Sequence, residues 1–309
     1  MNYLVFDWGG TFLKYALMNE ETEILEQGKV PAPGPYDTKE EFYRRIDPIA
    51  ENYRADVNGI AVSMPGMLDP ANGTCRTAGS LRFLTGTETG SELSRRYGLP
   101  ASVINDGKAA VLAEHWKGAL KGCSDCAVIV IGTGIGGGII LNDQLLVGRG
   151  FSAGEYSYLC INETDTESFS GFWCSKGHRM LGERLSELTG ENAAELDGVE
   201  VFRRVRAGDP PAMQVLNEMC HSLSVQIYNL SVLLNLEKIA IGGGISADPL
   251  LIETLQESLQ EFMKRLPFSQ GEPPQIAEVT LCRYGNDANL IGALYHHLYG
   301  KWECGIGWK

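Results

Sequence analysis

Residues 127–147 read AVIVIGTGIGGGIILNDQLLV, and this stretch distinguishes two kinds of α/β fold. Residues 132–137 match the dinucleotide-binding pattern G-x-G-x-x-G, and Glu155 follows where a ribose-binding acid belongs. That pattern requires a helix directly after its glycines. Here the glycines lead instead into the apolar residues 138–141, a polar turn at 142–144 and a second apolar segment, which predicts a hairpin. A nicotinamide oxidoreductase is therefore the weaker interpretation.

The N-terminal residues 2–18, NYLVFDWGGTFLKYALM, repeat this arrangement. An apolar run stops at Asp7, residues 9–11 form a glycine turn, and apolar residues then recur at every second position, as in a strand. Two segments of strand, glycine turn and strand indicate a duplicated architecture. Because no long low-complexity linker separates the two halves, we expect a cleft rather than a tether near residue 106.

Elsewhere the chain alternates predicted strands with predicted helices, which is typical of the α/β class. The other predicted strands cover residues 24–30, 57–63, 101–104, 238–241 and 275–282. The predicted helices begin near Asp37 or Thr38 and cover residues 88–97, 108–120, 175–189, 198–206, 210–235, 248–265 and 287–299. Residues 148–175 are predicted to be rich in loops.

Composition excludes several functional classes. The 309 residues include 44% hydrophobic and 21% charged residues, as in an ordinary globular protein, and a chain of this length suggests two domains or lobes. The formal net charge of −13 disfavours nucleic-acid binding. We expect no membrane span and no signal peptide, and the 8 scattered cysteines are typical of free thiols in the cytoplasm.

Both glycine turns could bind phosphate groups. Glycines lack Cβ atoms, so their backbone N–H groups can approach an anion closely, and Thr11 and Thr133 could add hydroxyl donors. The alternative is two ordinary β-turns, since glycine is common in hairpins. Two such turns, each after a buried strand, favour a site that holds a triphosphate from both sides.

Two carboxylates follow predicted strands. Asp7 faces the first glycine turn and could hold Mg²⁺ near the phosphates, or it could simply cap the turn. Asp106 follows the strand 101–104 and precedes a helix. A carboxylate there could accept a hydroxyl proton during phosphoryl transfer, or it could serve only as the N-cap of that helix.

In combination, these motifs resemble the ROK group of bacterial sugar kinases over nearly the whole chain. The segments that carry the resemblance are Asp7-Trp8-Gly9-Gly10-Thr11 with Lys14, residues 63–70 (SMPGMLDP), residues 105–110 (NDGKAA), residues 131–138 (IGTGIGGG), Ala153-Gly154-Glu155 and residues 241–245 (IGGGI). The resemblance implies a duplicated actin-like (ribonuclease H-like) ATPase fold, with two lobes around a central nucleotide and sugar cleft. The expected lobes are residues 1–106 with 286–309, and residues 107–285.

The resemblance also implies that Mg-ATP is the phosphate donor and that Asp106 is the general base. The implied sugar-binding residues are Gly66, Gly79, Ser80, Asn105, Asp106 and Glu155. The implied nucleotide-binding residues are Asp7, Gly9, Gly10, Thr11, Lys14, Thr133, Gly134, Gly136, Gly243 and Gly244, with Asp7 also near the magnesium ion. A homodimer is the usual assembly of the family.

One departure from the family pattern is informative. Most members carry a His three residues after the Glu of the Gly-Glu element and then a Cys-rich zinc loop, but here that position is Tyr158. Cys160, Cys174 and His178 lack the close spacing of a tetrahedral zinc site, so we expect no zinc. This pattern, with residues 285–293 (GNDANLIGA), resembles the β-glucoside kinases, which phosphorylate the glucosyl 6-hydroxyl of sugars such as cellobiose.

Two further alternatives belong to the same family. One is a kinase for N-acetylmannosamine or another hexose. The other is a ROK-type transcriptional regulator, which we disfavour because the first phosphate motif begins at Asp7 and leaves no room before it for a helix-turn-helix domain.

Overall fold

The computed structural model describes residues 1–34, 38–267 and 274–300. The chain forms two compact units. The first unit comprises Met1–Trp116, Val147–Ala153 and the chain from Asp287 onward, and the second comprises Lys117–Leu146 and Gly154–Asn286.

The first unit contains a five-stranded mixed sheet in the order β3-β2-β1-β4-β5. Its strands are β1 (Asn2–Trp8), β2 (Phe12–Asn19), β3 (Ile24–Pro31), β4 (Ile60–Met64) and β5 (Ala101–Asn105). Strand β1 is antiparallel to β2 and parallel to β4, and β4 is parallel to β5. Its helices are α1 (Lys39–Tyr53), α2 (Thr89–Tyr97), α3 (Asp106–Lys117) and α8 (Ala288–Tyr299).

The second unit contains a sheet of the same design in the order β10-β9-β6-β7-β8. Its strands are β6 (Cys126–Ile131), β7 (Ile135–Leu141), β8 (Gln144–Leu145), β9 (Lys238–Gly242) and β10 (Glu278–Leu281). Strand β6 is antiparallel to β7 and parallel to β9, and β9 is parallel to β10, so the strand relationships of the first sheet recur. Its helices are α4 (Arg179–Thr189), α5 (Gly198–Arg206), α6 (Pro210–Leu234) and α7 (Pro249–Lys264). The predicted duplication is confirmed.

In each unit, the sheet packs against an apolar core that belongs to the same unit. In the first unit, the side chain of Trp8 at the end of β1 packs edge-on against Phe42 of α1, with ring centroids 4.7 Å apart.

Helix α1 begins as predicted after Thr38, whose hydroxyl accepts a hydrogen bond from the Glu41 amide while the Glu41 carboxylate accepts one from the Thr38 amide. Asp37, the other predicted start, lies outside the described residues.

The decisive stretch at 127–147 is a hairpin, as predicted, but its turn is shorter than the glycine run. Only residues 132–134 lie between the strands, and β7 begins at Ile135 rather than at Gly138. Gly136 and Gly137 therefore pair with Val130 and Ile129 within the sheet. A Cβ on Gly137 would lie 2.1 Å from the Val128 carbonyl oxygen, so close packing rather than a turn explains that glycine.

Several helix boundaries also differ from the prediction, and the largest differences at helix starts are in α3 and α4. Helix α3 begins at Asp106, two residues early, because the Asn105 side-chain oxygen already accepts a hydrogen bond from the Lys108 amide. Helix α4 begins at Arg179 rather than at 175, because Trp173–Lys176 forms a separate 3-10 turn. Among the described residues, no helix combines the length and hydrophobicity needed to cross a bilayer.

Candidate active site

In the first unit, three parallel strands place predicted nucleotide-binding and sugar-binding residues at one edge of the sheet. Asp7 lies near the carboxyl end of β1 and is in register with Ser63 of β4. Met64, at the end of β4, is in register with Asn105 at the end of β5. Ligands of open α/β sheets collect at such carboxyl edges. This edge therefore brings close together Asp7, the turn after Met64, and Asn105.

Asn105 connects two parts of this edge. Its side-chain oxygen accepts a hydrogen bond from the Lys108 amide at 3.0 Å, and its side-chain nitrogen donates to the Gly66 carbonyl at 2.9 Å. The residue is 3% exposed, so these bonds are well shielded from water. One donor hydrogen and one acceptor lone pair of the amide remain for other partners. Asn105 therefore caps helix α3 and fixes the Gly66 loop, a positioning role that the sequence did not predict.

Asp106 begins helix α3 beside this cap. The Gly107 amide donates to its Oδ1 at 2.8 Å. Burial raises the pKa of Asp106 above its usual value, the Gly107 hydrogen bond opposes this rise, and the negative charge of Asp7 adds to it. A raised pKa makes a carboxylate a stronger base, which suits a group that accepts a hydroxyl proton.

Asp7 is 7% exposed, and the side chains of Lys14 and Asn289 contact its carboxylate. Lys14 Nζ lies 3.5 Å from its Oδ2, and the Asn289 side-chain nitrogen donates to its Oδ1 at 3.1 Å. Burial raises the pKa of Asp7, and Lys14 and Asn289 lower it only in part. Sequence reasoning missed Asn289, although it lies within the segment 285–293 whose pattern was noticed.

The glycine turns of the first unit approach the same edge. A Cβ on Gly10 would lie 3.0 Å from the Ser80 hydroxyl oxygen, and one on Gly79 would lie 3.0 Å from the Pro65 side chain. Gly66 has a φ of +117°, and a Cβ there would lie 1.9 Å from the Thr77 carbonyl oxygen. Only glycine fits this position.

These contacts connect the predicted site residues of the first unit that surround this edge of the sheet. They are Asp7, Gly10, Gly66, Gly79, Ser80, Asn105 and Asp106. Gly9, Thr11 and Lys14 belong to the β1–β2 hairpin, where the Gly9 amide donates to the Phe12 carbonyl at 3.0 Å and Thr11 is exposed.

In the second unit, the other two glycine motifs meet at the carboxyl ends of β6 and β9. Val130 of β6 is in register with Gly242 of β9. Gly243 follows with a φ of +101°, and a Cβ there would lie 2.2 Å from the Ile131 carbonyl oxygen. The predicted nucleotide-binding residues Thr133, Gly134, Gly243 and Gly244 therefore lie on two adjacent strand ends. Gly136 lies apart from the turn, inside β7, where a Cβ would meet nothing within 4 Å.

Glu155, the remaining predicted sugar ligand, belongs to the second unit. It occupies the N-cap position of a 3-10 turn, Tyr156–Tyr158, without a side-chain capping hydrogen bond, and this turn contacts strand β7. The Ser157 hydroxyl accepts a hydrogen bond from the Ile135 amide at 3.2 Å and donates to the Ile135 carbonyl at 2.9 Å. Gly154 has a φ of +80° and packs against Gly138. Ser157 is a second positioning residue that the sequence did not reveal.

The sequence predicts no zinc at Cys160, Cys174 and His178. The Cys160 thiol donates to the Asn162 carbonyl at 3.4 Å and the Cys174 thiol to the Phe169 carbonyl at 3.9 Å. Within residues 1–34, 38–267 and 274–300, no group of three or more His, Cys, Asp or Glu side chains is arranged to hold a metal ion.

The sheet order and the two matching glycine hairpins define an α/β protein of the actin-like ATPase fold, as solved structures of the same architecture confirm. A sequence model of the ROK family matches residues 3–298, and the chain belongs to that family. The predicted family is therefore confirmed. The chain is 32% identical over 300 residues to a β-glucoside kinase of Listeria monocytogenes, with 96% of this chain and 98% of the relative covered.

Two solved structures extend the comparison. The Lmo2764 protein of Listeria monocytogenes superposes with a TM-score of 0.87 and is 29% identical, covering 96% of this chain and 99% of its own. A ROK family glucokinase from Streptomyces griseus, solved with glucose and AMPPNP, has a TM-score of 0.79 and is 25% identical, covering 95% and 98% of the two chains.

Proposed function

We propose that this protein is an ATP-dependent sugar kinase that transfers the γ-phosphate of Mg-ATP to a sugar hydroxyl. The observation that carries the proposal is the pair Asp7 and Asp106 at one sheet edge, each with a pKa raised by burial. Similarity over the full length to a β-glucoside kinase and to a glucokinase confirms the predicted enzyme class, a carbohydrate kinase. The AMPPNP in the glucokinase structure supports ATP as the donor.

Asp106 is the proposed general base. A neutral hydroxyl is a weak nucleophile, so its proton must leave as the phosphoryl group arrives. Oδ1 of Asp106 accepts the Gly107 hydrogen bond, which leaves Oδ2 to receive that proton. Asn105 and Gly66 would hold the sugar next to this oxygen, together with Gly79 and Ser80, and Glu155 would bind ring hydroxyls. Catalysis would come mainly from alignment and charge neutralisation.

The glycine turns are the proposed phosphate sites. Gly9, Gly10, Thr11 and Lys14 on one hairpin, and Thr133, Gly134 and Gly136 on the other, would present N–H, hydroxyl and ammonium donors to the phosphates. Gly243 and Gly244 would approach the adenosine. In this proposal the functional lobes are residues 1–106 with 286–309, and residues 107–285.

Asp7 has the properties of a Mg²⁺ ligand. Its carboxylate is a hard oxygen donor, it is buried, and Asn289 fixes its orientation from a separate helix. Mg²⁺ bound near the β- and γ-phosphates, directly or through water, would neutralise charge that develops during transfer. One carboxylate with phosphate and water ligands is a common way in which proteins bind this ion.

We propose a β-glucoside such as cellobiose as the acceptor, phosphorylated at the glucosyl 6-hydroxyl. The β-glucoside kinase of Listeria monocytogenes supports this choice, and so does Tyr158 in place of the family's usual His. N-acetylmannosamine and free hexoses are the competing acceptors. A homodimer and a cytoplasmic location complete the proposal; sedimentation velocity would test the former.

The experiment is a coupled ADP-release assay of the purified protein with Mg-ATP and a panel of sugars: glucose, cellobiose, gentiobiose and N-acetylmannosamine. We expect the highest kcat/KM with the β-linked disaccharides. Activity on glucose alone would refute the acceptor, and no sugar-dependent ADP release with any sugar would refute the kinase. NADH binding without ATP binding would instead favour the oxidoreductase interpretation.

A further inference from the structure

The hydroxyl of Ser63 is a buried polar group without a hydrogen-bond partner. Ser63 is 0% exposed and, within the part of the chain that the structure describes, no atom meets its hydroxyl oxygen with hydrogen-bond geometry. An unpaired buried hydroxyl costs free energy, and the large majority of such groups in proteins are paired. Strand β4, which carries Ser63, lies between β1 and β5, so neighbouring strands already pair with its backbone on both sides. For the fold alone, an alanine would therefore serve better here.

Ser231, on helix α6, shows the usual arrangement of a buried serine. It is 1% exposed, and its hydroxyl donates to the Ile227 carbonyl at 2.7 Å. The same oxygen accepts a hydrogen bond from the Ala277 amide at 3.1 Å. Ser63 is buried to the same extent but has neither kind of contact, so its hydroxyl calls for another explanation.

Ser63 lies beside the carboxylate of Asp7. The two residues are in register on the adjacent parallel strands β1 and β4, so their side chains project from the same face of the sheet. Burial raises the pKa of Asp7, and Ser63 is one of the neighbours that oppose this rise, as expected of a hydroxyl near a carboxylate. The hydroxyl therefore lies near Asp7, although its geometry falls short of a hydrogen bond.

The carboxylate of Asp7 keeps room for further contacts. Asn289 donates to its Oδ1 at 3.1 Å, and Lys14 Nζ lies 3.5 Å from its Oδ2. Each carboxylate oxygen has two lone pairs, so both oxygens can still accept another hydrogen bond or bind an ion. An unpaired hydroxyl and a carboxylate with spare capacity thus lie side by side in the first unit.

We propose that Ser63 is a positioning residue of the magnesium site, and that its hydroxyl gains hydrogen-bond partners when hydrated Mg²⁺ binds at Asp7. The inference rests on the proposed sugar kinase function and deepens it, because it assigns the ion a second residue. Mg²⁺ loses its waters reluctantly and usually keeps several in protein sites. A serine hydroxyl can accept a hydrogen bond from such a water and donate one to a carboxylate. Ser63 would thus link the water shell of the ion to Asp7.

The test compares the wild-type protein with Ser63→Ala and Ser231→Ala. Ser63→Ala removes only the unpaired hydroxyl, whereas Ser231→Ala removes a paired hydroxyl from the second unit. Isothermal titration calorimetry measures the Kd of AMPPNP, an ATP analogue, once with Mg²⁺ and once with EDTA. The ratio of these two Kd values gives the gain in affinity that the ion supplies. Thermal unfolding without nucleotide or Mg²⁺ shows whether each hydroxyl supports the fold.

We expect Mg²⁺ to tighten the binding of AMPPNP to the wild-type protein, and Ser63→Ala to reduce this gain by about tenfold, the effect of one hydrogen bond lost in a charged site. Binding in EDTA should be unchanged. The Tm of Ser63→Ala should equal or exceed that of the wild-type protein, because the change removes an unpaired buried group. Ser231→Ala should keep the wild-type gain from Mg²⁺ and have a lower Tm.

Two results with Ser63→Ala would overturn the inference. One is a gain from Mg²⁺ equal to that of the wild-type protein, and the other is a Tm as low as that of Ser231→Ala, because the hydroxyl would then support the fold. A wild-type protein that binds AMPPNP equally well with Mg²⁺ and with EDTA also refutes the inference, while nucleotide binding stands. A wild-type protein that does not bind AMPPNP at all refutes both the inference and the proposed kinase.

Discussion

The Asn289 side-chain nitrogen donates to Oδ1 of Asp7 at 3.1 Å, joining residues 282 positions apart in the chain. Asp7 is the penultimate residue of strand β1, and Asn289 lies in the first turn of the last described helix, α8. Burial raises the pKa of Asp7, and this hydrogen bond is one of the contacts that oppose the rise. The C-terminal helix therefore helps to keep the proposed magnesium ligand ionised.

Replacement of Asn289 tests this relationship. Asn289→Ala should raise the pKa of Asp7 further and increase the KM for Mg-ATP by about tenfold, the effect of one lost hydrogen bond to a charged group. The measurement is the KM for ATP at several Mg²⁺ concentrations. Asn58→Ala, at an exposed asparagine, is the matched control and should leave this KM unchanged. An unaltered KM in Asn289→Ala would show that Asp7 does not need the contact.

The general base is tested by Asp106→Asn. This change removes the proton acceptor but keeps the shape of the side chain, so kcat should fall by roughly 100-fold to 10,000-fold with little change in the KM for ATP. Steady-state kinetics with saturating sugar gives both constants. Asp56→Asn, at an exposed position, serves as the control. Near wild-type turnover in Asp106→Asn would remove Asp106 from the mechanism.

The pH dependence of the activity should follow from the ionisation of Asp106. Only ionised Asp106 can accept a proton, and its pKa is raised by burial, so activity should be lost as pH falls through this raised value. The acid limb of kcat/KM for the sugar should therefore lie above pH 3.9, about the ordinary value for Asp. A profile that stays flat down to about pH 4 would contradict the prediction.

As pH rises through the pKa of Asp106, the stability of the protein should fall, whereas its activity should rise. The folded-state pKa of Asp106 is raised above its unfolded value, so its contribution to stability is present at low pH and is lost as pH rises through the folded pKa. At neutral pH the ionised carboxylate is thus destabilising, and Asp106→Asn should raise the Tm. Differential scanning calorimetry at neutral and acid pH measures the difference. A Tm that falls in Asp106→Asn at neutral pH would contradict this account of the carboxylate.

The two glycines after β9 allow a matched comparison. Gly243 has a φ of +101° and a Cβ there would lie 2.2 Å from the Ile131 carbonyl, whereas a Cβ on Gly244 would meet nothing within 4 Å. Gly243→Ala should lower the free energy of unfolding by about 1–3 kcal/mol, and Gly244→Ala should leave it nearly unchanged. Urea denaturation distinguishes them. Equal stability of the two variants would contradict the close approach of β9 to β6.

Local patterns in the sequence predicted most of the fold. The apolar run before Asp7 and the hairpin at 127–147 depend on alternation and turn residues that lie close together in the chain, and both were predicted correctly. Glycine was harder to interpret, because a glycine needed for a turn and one needed for close packing look alike. Gly137 is of the second kind, and its neighbour Tyr156 is 19 positions away in the printed sequence.

The positioning residues were missed because their partners are remote. Asn105 was noticed as a possible sugar ligand, but its bond to the Gly66 carbonyl depends on the pairing of β4 with β5. Ser157 and Asn289 act through contacts that only tertiary structure creates. The carboxylates of Asp7 and Asp106, in contrast, lie at the ends of apolar runs. That local pattern is visible in the sequence.

Phosphorus NMR of the wild-type protein with Mg-ATP and cellobiose tests the central claim most directly. We predict one sugar phosphate ester formed for each ADP released, and loss of both signals in Asp106→Asn. Release of ADP with inorganic phosphate in place of the ester, or undiminished ester formation in Asp106→Asn, would contradict a sugar kinase that uses this carboxylate as its base.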